Sequence, residues 1–491
     1  MSRRRVDAVL AGVDGVDGLR QFLRGGLARR DLRRHIGRLV ADPWTLGPCR
    51  LRRAKLKPGR KLSAYYEVLL ADEDAGGHAR RAVAITWTPP AVDPIPALES
   101  LDGAALANET ERRGVRAPFA TLKAWPEDGM RILVSPLDER FPQLVRMSDP
   151  HHVASELLGE SSQCRVSTVR YRPGQRHVLR YERGDDGASP VSPVFFAKLY
   201  SDERGAETFR RIGQLAEHLD DADADLSVWQ PFTYLPADRA LVSRAVVGTA
   251  LSRHLRREGT DLPWLLWRAG RGLRALQSVP TTAVGDVAAR ELADEIAATV
   301  RASEHVAALA PALGVRIAAV LEQARDLYDV LPGEASRFAH GDFKADHLWV
   351  EADGLVAIDF DSSCLADPAL DCGKFLADLR WSNSLFGSPD PEPAQARFLE
   401  GYLDGTNPRT RLARSHVFEA LWLVKIAARR VPIFERDWSY RTEELISQAE
   451  SVLATTVERF TRIRGRLQPG AAAAAAATPR GGDLSAAVPR S

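Results

Sequence analysis

Residue types that can transfer protons or hold charge are concentrated in the stretch HGDFKADHLWV, which runs from His340 to Val350. Asp342 follows His340 by two positions, Lys344 follows by four, and His347 follows by seven. More acidic residues come soon after, at Asp346, Asp359, Asp361, Asp367 and Asp371. Taken singly, each Asp could be a turn former and His340 a core histidine. Taken together, charged and apolar residues alternating at this spacing predict a catalytic loop.

The residues after this loop predict a β-hairpin that brings the acidic groups together. Residues 349–350 and 355–358 are strand-like, and the Asp353-Gly354 pair between them favours a turn. A turn of two to four residues places position 359 opposite 346, 347 or 348, so Asp359 comes near His347. The side chains gathered in this way are Asp342, Asp346, His347, Asp359 and Asp361.

Such a cluster has the groups that phosphoryl transfer requires. Neighbouring carboxylates repel each other unless a cation compensates them, and Asp oxygens suit Mg²⁺. A further carboxylate could accept the proton of an attacking hydroxyl, while Lys344 could neutralise charge on a phosphoryl group. The loop is therefore predicted to be a phosphoryl-transfer centre.

An internal repeat lies ahead of the loop. The segments CRLRRAKLKPGRKLSAYYE (49–67) and CRVSTVRYRPGQRHVLRYE (164–182) align without gaps at an offset of 115 residues. Both predict two strands joined by a Pro-Gly turn, and a third apolar strand follows each, at 81–87 and 193–200. Chance similarity of two hairpins is the alternative, but the recurring third strand favours a duplication. Lys198 lies in the third strand of the second copy only.

The order of patterns along the chain predicts an α+β protein. Residues 1–155 form a strand-rich module, residues 156–248 form a second one, and residues 249–466 are mainly helical around the catalytic loop. Asp261 is a plausible N-cap for the helix that begins at Leu262-Pro263. Residues 467–491 are Ala-, Gly- and Pro-rich and predict a disordered tail.

The motifs resemble those of the aminoglycoside phosphotransferase and choline kinase family. The resemblance rests on His340-x-Asp342-x4-His347, on the DFG-like Asp359-Phe360-Asp361, and on the DPALD segment that ends at Asp371. It covers residues 160–465 and implies a protein-kinase-like fold, with a β-rich N-lobe, a helical C-lobe, and ATP between them. The first module resembles a degenerate N-lobe without its lysine.

The resemblance implies roles for the residues of the catalytic block. Asp342 resembles the catalytic Asp that orients or deprotonates the acceptor hydroxyl, and Asp359 resembles the metal-binding Asp. His347 stands where the family usually has Asn, so His347, Asp359 and Asp361 are the candidate Mg²⁺ ligands. Two further residues are expected to support the loop, namely His340, which braces it, and Asp371, which anchors it. Lys344 is a second departure, since a Lys two residues after the catalytic Asp is typical of protein kinases.

The resemblance also implies the nucleotide side of the site. Lys198 fits the family's nucleotide lysine. Glu207 at the start of the next helix is its expected partner, with Glu203 and Glu217 as alternatives. Gly174, in the Pro-Gly turn, would cover the phosphates. The backbone that contacts adenine would be Ser243, Arg244 and Ala245.

Three functions remain open on these residues. The first is an ATP- and Mg²⁺-dependent kinase of a hydroxylated small molecule, the second a pseudokinase or nucleotide-binding scaffold, and the third a protein kinase. A protein-kinase activation segment is not evident, because only five residues separate Asp361 from Asp367 and no Ala-Pro-Glu follows. The first module is expected to pack on the second or to shape the entrance for the acceptor.

Composition limits the partners. A formal net charge of +2 does not favour nucleic acid, and no apolar run approaches the ~20 residues of a membrane span. The four Cys form no CxxC pair and the N-terminus lacks a signal-peptide pattern, so a cytoplasmic protein is expected, in an oligomeric state that the sequence leaves open. An aminoglycoside, a sugar, an amino alcohol or a natural-product intermediate could be the acceptor. A cationic or sugar-binding cleft could be lined by Trp381, Trp422, Trp438 and the acidic residues within 389–393 and 434–438, but core packing explains the tryptophans at least as well.

Overall fold

The structure is a computed structural model. It describes residues 3–72, 74–89, 101–127, 129–158, 163–183, 193–220, 225–256, 261–351, 354–386, 390–403 and 408–467. The predicted tail after residue 467 and Asp353 of the predicted turn lie outside the described residues.

The first module begins with three helices and continues with a five-stranded sheet. The helices are α1 (Arg3–Ala11), α2 (Gly15–Arg24) and α3 (Gly26–Gly37). The sheet and the short helices around it are β1 (Trp44–Lys57), β2 (Lys61–Asp72), β3 (His78–Trp87), α4 (Leu101–Arg112), β4 (Lys123–Glu127), β5 (Met130–Val134), α5 (Gln143–Met147) and α6 (Pro150–Val153). The three initial helices were not predicted. In α2, Leu19, Phe22 and Leu23 form a buried stripe at helical spacing, and Phe22 packs edge-on against Trp87 of the sheet.

The second module is another five-stranded sheet. Its elements are β6 (Cys164–Arg172), β7 (Arg176–Arg183), β8 (Val194–Leu199), α7 (Arg204–Asp220), β9 (Leu226–Val228), β10 (Thr233–Leu235) and β11 (Ala240–Arg244). All of its strand pairs are antiparallel. Strand β9 lies in a different sheet, beside the catalytic hairpin.

The two five-stranded sheets have the same strand order. The first is β1-β2-β3-β5-β4 and the second is β6-β7-β8-β11-β10, with a helix after the third strand in each. The 115-residue offset also relates their registers, because Ser63 pairs with Thr86 in the first sheet and Val178 pairs with Lys198 in the second. Thr86 therefore stands where the second sheet has Lys198. This likeness supports the duplication, which we propose as the origin of the first module.

The remaining elements form the helical lobe. The helices are α8 (Leu251–His254), α9 (Leu262–Ser278), α10 (Leu292–Leu309), α11 (Pro311–Val330), α12 (Ala369–Phe386), α13 (Glu392–Leu403), α14 (Pro408–Arg430) and α15 (Trp438–Leu467). The strands are β12 (Thr249–Ala250), β13 (Ala289–Arg290), β14 (Arg337–Ala339), β15 (Leu348–Val350), β16 (Leu355–Ala357) and β17 (Cys364–Ala366). Asp261 precedes α9 but its side chain makes no capping hydrogen bond. The predicted α+β fold, with a sheet-based N-lobe and a helical C-lobe, is confirmed.

Buried side chains join the first module to both lobes. One core cluster combines residues of the first sheet with residues of α10, α11, α14 and α15. Another combines Phe141, Leu144 and Met147, which follow the first sheet, with the inner face of β7 and β8. The Tyr171 hydroxyl donates to the Leu137 carbonyl at 2.6 Å and reinforces this second contact.

No helix in the described part of the chain combines the length and the apolarity that a bilayer crossing requires.

Candidate active site

A buried carboxylate holds the backbone at the start of the catalytic loop. Asp371, at the start of α12, accepts the His340 N–H at 2.6 Å and the Gly341 N–H at 2.9 Å. Gly341 has φ +74°, and a Cβ there would lie 2.0 Å from the Ser362 carbonyl oxygen. The loop can therefore pass close to residues 360–363 only with Gly at position 341. Asp371 lies where the sequence analysis expected an anchor.

The side chain of His340 is a brace within the loop. It is fully buried, and its Nδ1 accepts the Asp342 N–H at 3.3 Å. With Nδ1 accepting, Nε2 carries the proton and donates to the Ile358 carbonyl at 3.0 Å. The ring also packs 4.5 Å from that of Phe360. These contacts tie the catalytic loop to the strand that leads to Asp359.

The carboxylate of Asp342 lies between two lysines. Its Oδ2 accepts from Lys344 Nζ at 2.6 Å, and its Oδ1 lies 3.3 Å from Lys374 Nζ. Burial disfavours the charged form, but Lys374 and Lys344 outweigh burial and hold the pKa of Asp342 well below its ordinary value. Asp342 is therefore a carboxylate at neutral pH and can accept a hydrogen bond from a hydroxyl.

Lys374 is a site residue that the sequence analysis missed. Its side chain is only 3% exposed, and its Nζ lies 3.8 Å from the centre of the Trp422 ring. Burial lowers its pKa to about 8, although Asp342 favours the charged form. Two signals were present in the sequence. Lys374 is one of only eight Lys, and it follows Asp371 by three positions, which puts both on one face of α12.

The hairpin forms within the predicted range of registers. Leu348 pairs with Ala357, and the Ile358 N–H donates to the His347 carbonyl at 3.0 Å. Asp359 follows in the left-handed region, with φ +66°, which Asp tolerates better than most residues. As predicted, Asp359 comes near His347, and the Asp359 Oδ2 to His347 Nε2 distance is 3.6 Å.

His347 lies between the two key carboxylates. Its Nδ1 is 3.7 Å from Asp342 Oδ2, beyond hydrogen-bond range, and is buried without a hydrogen-bond partner among the described residues. Burial and Lys344 lower the pKa of His347 to about 3, so the ring is neutral at physiological pH. A neutral ring nitrogen keeps a lone pair that a metal ion can use.

The partner of Lys198 differs from the predicted one. Lys198 Nζ donates to Asp359 Oδ1 at 2.7 Å and forms an ion pair with Asp361 as well. Glu207 is exposed and makes no ion pair with Lys198, so the predicted pair is wrong. The physical reason is the orientation of α7, whose buried side is formed by Gly205 and Thr208 while Glu207 faces outward.

The predicted set of three metal ligands is not assembled either. Asp361 lies in the 3-10 turn Phe360–Ser362 and faces the N-lobe. It accepts from the Tyr200 hydroxyl at 2.7 Å and lies 3.3 Å from Arg176. Within the described residues, no group of three or more His, Cys, Asp or Glu side chains has the arrangement of a metal site. His347 and Asp359 remain the candidates, while Asp346 is exposed and lines a different cavity.

The Pro-Gly turn is held from outside the second sheet. The Gly174 N–H donates to Asp138 Oδ2 at 2.7 Å, and His177 Nε2 lies 2.6 Å from the same oxygen. Asp138 and His177 are both buried. The turn that was predicted to cover phosphates is thus fixed by a residue that follows the first sheet, which the sequence analysis did not foresee.

The predicted adenine-contacting backbone is partly engaged within the protein. The Ala245 N–H donates to the Val194 carbonyl at 2.8 Å, and the Trp229 indole N–H donates to the Arg244 carbonyl at 3.0 Å. Ser243 still pairs with β8, opposite Phe196. The backbone groups of Ala245 and Arg244 on which this prediction relied therefore already have partners.

Asp342 also lines a cavity of about 480 Å³. Trp422 lines it, and Trp381 lines a second cavity of about 900 Å³ that adjoins it. Trp438 is fully buried in the core instead. Of the acidic residues within 390–393 and 434–438, none lines either cavity. The lining is predominantly basic.

Solved structures similar to the chain include several kinases. A choline/ethanolamine kinase family protein from Mesorhizobium loti has a TM-score of 0.41 and 15% identity, over 63% of this chain and 93% of that one. An ethanolamine kinase from Plasmodium vivax has a TM-score of 0.42 and 12% identity, over 64% and 90%. Spectinomycin phosphotransferase, solved with ADP and spectinomycin, has a TM-score of 0.40 and 13% identity, over 59% and 92%. No curated protein matches the chain in sequence.

TM-scores of about 0.4 do not show what the chain binds, so the family is assigned from the sequence match. The model of the phosphotransferase enzyme family matches residues 168–413, which is half of the 491 residues. The matched range begins in β6, ends in α14, and includes Lys198, Asp342 and Asp359. This protein is therefore a member of the phosphotransferase enzyme family.

Proposed function

We propose that the protein transfers the γ-phosphoryl group of ATP to a hydroxyl group of a small molecule, with Mg²⁺ as the metal ion. One observation carries the proposal. His347 lies within 4 Å of both Asp342 and Asp359, so the carboxylate suited to the acceptor and the one suited to the nucleotide are neighbours.

The nucleotide side of the proposal depends on Lys198 and Asp359. Lys198 on β8 would bind phosphate oxygens as a point charge, and its ion pair with Asp359 keeps its Nζ directed at the catalytic cleft. Asp359 and His347 would hold Mg²⁺, which commonly takes one or two protein ligands and completes its shell with phosphate oxygens and water. When bound, Mg²⁺ would neutralise the charge that develops on the phosphate oxygens.

The acceptor side depends on Asp342 and the two lysines beside it. The acceptor hydroxyl donates a hydrogen bond to Asp342, which directs the oxygen lone pair at the γ-phosphorus. A bond forms from this oxygen to phosphorus as the bond from phosphorus to the bridging oxygen of ADP breaks. Because the pKa of Asp342 is low, the carboxylate is a weak base and takes the proton late, once the hydroxyl has lost electron density to phosphorus.

Turnover that depends on both Mg²⁺ and Asp359 tests the proposal. Slow ATP hydrolysis should require Mg²⁺ and be lost in Asp359→Ala. Asp261→Asn is a suitable control, because Asp261 is exposed and makes no capping bond. ATP hydrolysis that continues in Asp359→Ala, or that does not need Mg²⁺, would contradict the assigned metal ligand.

The substitution of His for Asn at position 347 favours a second candidate, a nucleotide-binding scaffold without turnover. Imidazole is a softer ligand than an amide oxygen and suits Mg²⁺ less well. Binding of ATP without Mg²⁺ and without any release of ADP would support this candidate. Labelled phosphate on a protein rather than on a small molecule would instead support a protein kinase.

A further inference from the structure

Two cavities on the acceptor side of Asp342 adjoin each other. The inner one is lined by Asp342, Lys344 and Lys374 at the catalytic loop, and the outer one extends away from it. They share four lining residues of α10 and α14, which are Ala298, Arg301, Arg429 and Arg430. We call the two together the basic chamber. Their volumes, about 480 and 900 Å³, are typical of sites for small ligands.

The lining of the basic chamber carries a large excess of positive charge. Fourteen Lys and Arg side chains line it, against five carboxylates. The cationic residues are Arg52, Arg53, Lys55, Lys57, Arg60, Arg170, Arg172, Arg290, Arg301, Lys344, Lys374, Lys425, Arg429 and Arg430. The carboxylates are Asp294, Glu295, Glu304, Asp342 and Asp346. The whole chain has a net charge of only +2, so this concentration of charge is local.

Several of these cations have no carboxylate partner in the part of the chain that the structure describes. Arg60 pairs with Glu304 and Arg430 pairs with Asp378. In contrast, Lys55, Arg172 and Arg301 make no ion pair with any carboxylate of the described residues. Their side chains remain partly exposed at the cavity wall, so a ligand can reach them.

The positive side chains of the chamber lie close enough together to lower each other's pKa. Burial and the charges of Lys57, Arg53 and Arg429 lower the pKa of Lys55 to about 8. Burial together with Arg53 and Arg170 lowers the pKa of Arg172 to about 10. Like charges brought together in this way raise each other's free energy, and a bound anion would relieve the repulsion.

All three parts of the molecule contribute to the chamber. Strand β1 of the first module supplies Lys55 and its neighbours, β6 of the second supplies Arg172, and α10 and α14 of the helical lobe supply Arg301 and Arg429. The Arg53 guanidinium also donates to the Arg429 carbonyl at 3.4 Å across this junction. The first module, which has Thr86 in place of a nucleotide lysine, therefore forms one wall of the basic chamber.

We propose that the basic chamber binds the acceptor, and that the acceptor is a hydroxylated small molecule with two or more anionic groups, as phosphate or carboxylate. This inference rests on the proposed function, since it takes Asp342 as the residue that meets the hydroxyl. The hydroxyl lies at Asp342 in the inner cavity, and the anionic groups extend toward Lys55, Arg172 and Arg301. A cationic aminoglycoside or amino alcohol is repelled by the same lining.

Binding of a defined anion tests the chamber without any need for turnover. Calorimetric titration with fructose 1,6-bisphosphate should give binding that weakens as salt is raised, whereas fructose should not bind. The double variant Lys55→Gln/Arg172→Gln should weaken binding at least tenfold. The matched control, Arg50→Gln/Arg165→Gln, removes two exposed charges from the same two strands outside the chamber and should change binding less than twofold. Equal binding by both double variants, or no binding by the natural protein, would overturn the proposal.

A turnover assay then tests the anionic acceptor separately from the proposed phosphotransferase activity. ADP release is compared for sugars, polyols and nucleosides and for the phosphorylated form of each, with citrate as a carboxylate acceptor and kanamycin as a cationic one. Anionic acceptors should be preferred, and Lys55→Gln/Arg172→Gln should raise KM for them while leaving kcat nearly unchanged. Preference for phosphorylated acceptors over citrate would identify phosphate as the anionic group, and the reverse would identify carboxylate.

Failure of the anionic-acceptor proposal and failure of the phosphotransferase proposal would give different results. One contrary result is that the enzyme phosphorylates kanamycin or neutral acceptors at a rate that Lys55→Gln/Arg172→Gln does not change. This would contradict the proposal that the acceptor is anionic, while the phosphotransferase proposal would stand. A different result would contradict the proposed function and leave the anion site in place. In that case anion binding would depend on Lys55 and Arg172, but no acceptor would cause ADP release and ATP would show no Mg²⁺-dependent hydrolysis.

Discussion

His347 is the residue in which this site departs most from its family resemblance. The ring lies within 4 Å of Asp342 and of Asp359, and burial keeps it neutral. It therefore lies between the two carboxylates without adding charge there.

An Asn at this position should serve at least as well. In His347→Asn we expect Mg²⁺-dependent ATP turnover to stay equal or to rise, by up to about tenfold, because an amide oxygen is a harder ligand for Mg²⁺ than a ring nitrogen. The measurement is kcat as a function of Mg²⁺ concentration. His78→Asn, at an exposed site in the first module, is the control. A loss of turnover in His347→Asn alone would show that the imidazole itself is required.

Lys374 is expected to make the site sensitive to alkaline pH. Its pKa of about 8 reflects burial together with Arg430 and Lys344, which disfavour its charge, against Asp342 and Asp378, which favour it. The side chain is charged below this pH and neutral above it, so the lysine stops compensating the acceptor-side carboxylate as pH rises. We expect kcat/KM for the acceptor to fall about tenfold from pH 7 to pH 9.5.

Lys374→Arg provides the control for this pH effect, because a guanidinium keeps its charge to a much higher pH. Its kcat/KM should fall less steeply over the same range. A profile for the natural protein that is flat up to pH 9.5 would contradict the proposed role of Lys374.

The sequence allowed prediction of the residues on the catalytic loop but not of their partners from distant segments. Asp342, His347 and Asp359 lie close in the chain, and hairpin geometry limits where they can be. Lys374 and the partner of Lys198 depend on how α12 and β8 are oriented in three dimensions, and periodicity does not determine this. Glu207 was chosen as that partner because it lies early in the helix after Lys198, but the helix turns it outward.

At the scale of elements, the Pro-Gly turn between β6 and β7 is fixed by a residue that follows the first sheet. Asp138 accepts from both Gly174 and His177, so it links the segment after β5 to the turn. The turns and strands of the repeat were predictable because Pro-Gly pairs and alternating apolar residues are local signals. Asp138 was not predictable as a partner of this turn, because its contact spans 36 residues.

Removing the charge of Asp138 should loosen the turn. In Asp138→Asn we expect KM for ATP to rise about tenfold with a smaller change in kcat, since a charge-assisted hydrogen bond contributes about 1.5–3 kcal/mol. The assay is ADP release at varied ATP concentrations. Glu139→Gln changes the adjacent exposed carboxylate and should leave KM unchanged. An unchanged KM in Asp138→Asn would show that the turn does not contribute to nucleotide binding.

At the scale of the whole molecule, the first module forms one wall of the basic chamber rather than a separate appendage. Its sheet shares one core with α10, α11, α14 and α15, so deletion of residues 1–150 would expose apolar surface of the helical lobe. The sequence indicated the repeat, but it could not show which surface of the first copy meets the second lobe. Substitutions within the chamber therefore test the role of the module better than truncation does.

Crowded positive charge in the chamber should cost stability in the absence of an anion. We expect Lys55→Gln/Arg172→Gln to raise Tm by about 2 °C, because it removes repulsion between like charges. Fructose 1,6-bisphosphate should raise the Tm of the natural protein but not that of the variant. The measurement is thermal unfolding at low salt with and without the bisphosphate, and a lower Tm in the variant would mean that these cations stabilise the fold.

The central claim is that Asp342 directs a hydroxyl at the phosphoryl group of ATP. It is tested most directly by following γ-labelled ATP, with Mg²⁺ and an acceptor identified by ADP release, and measuring label in the small-molecule fraction. The natural protein should transfer the label, and Asp342→Asn should lower the rate by about 10²–10⁴-fold, the usual contribution of a positioned acid–base group. Transfer at an unchanged rate in Asp342→Asn would contradict the account.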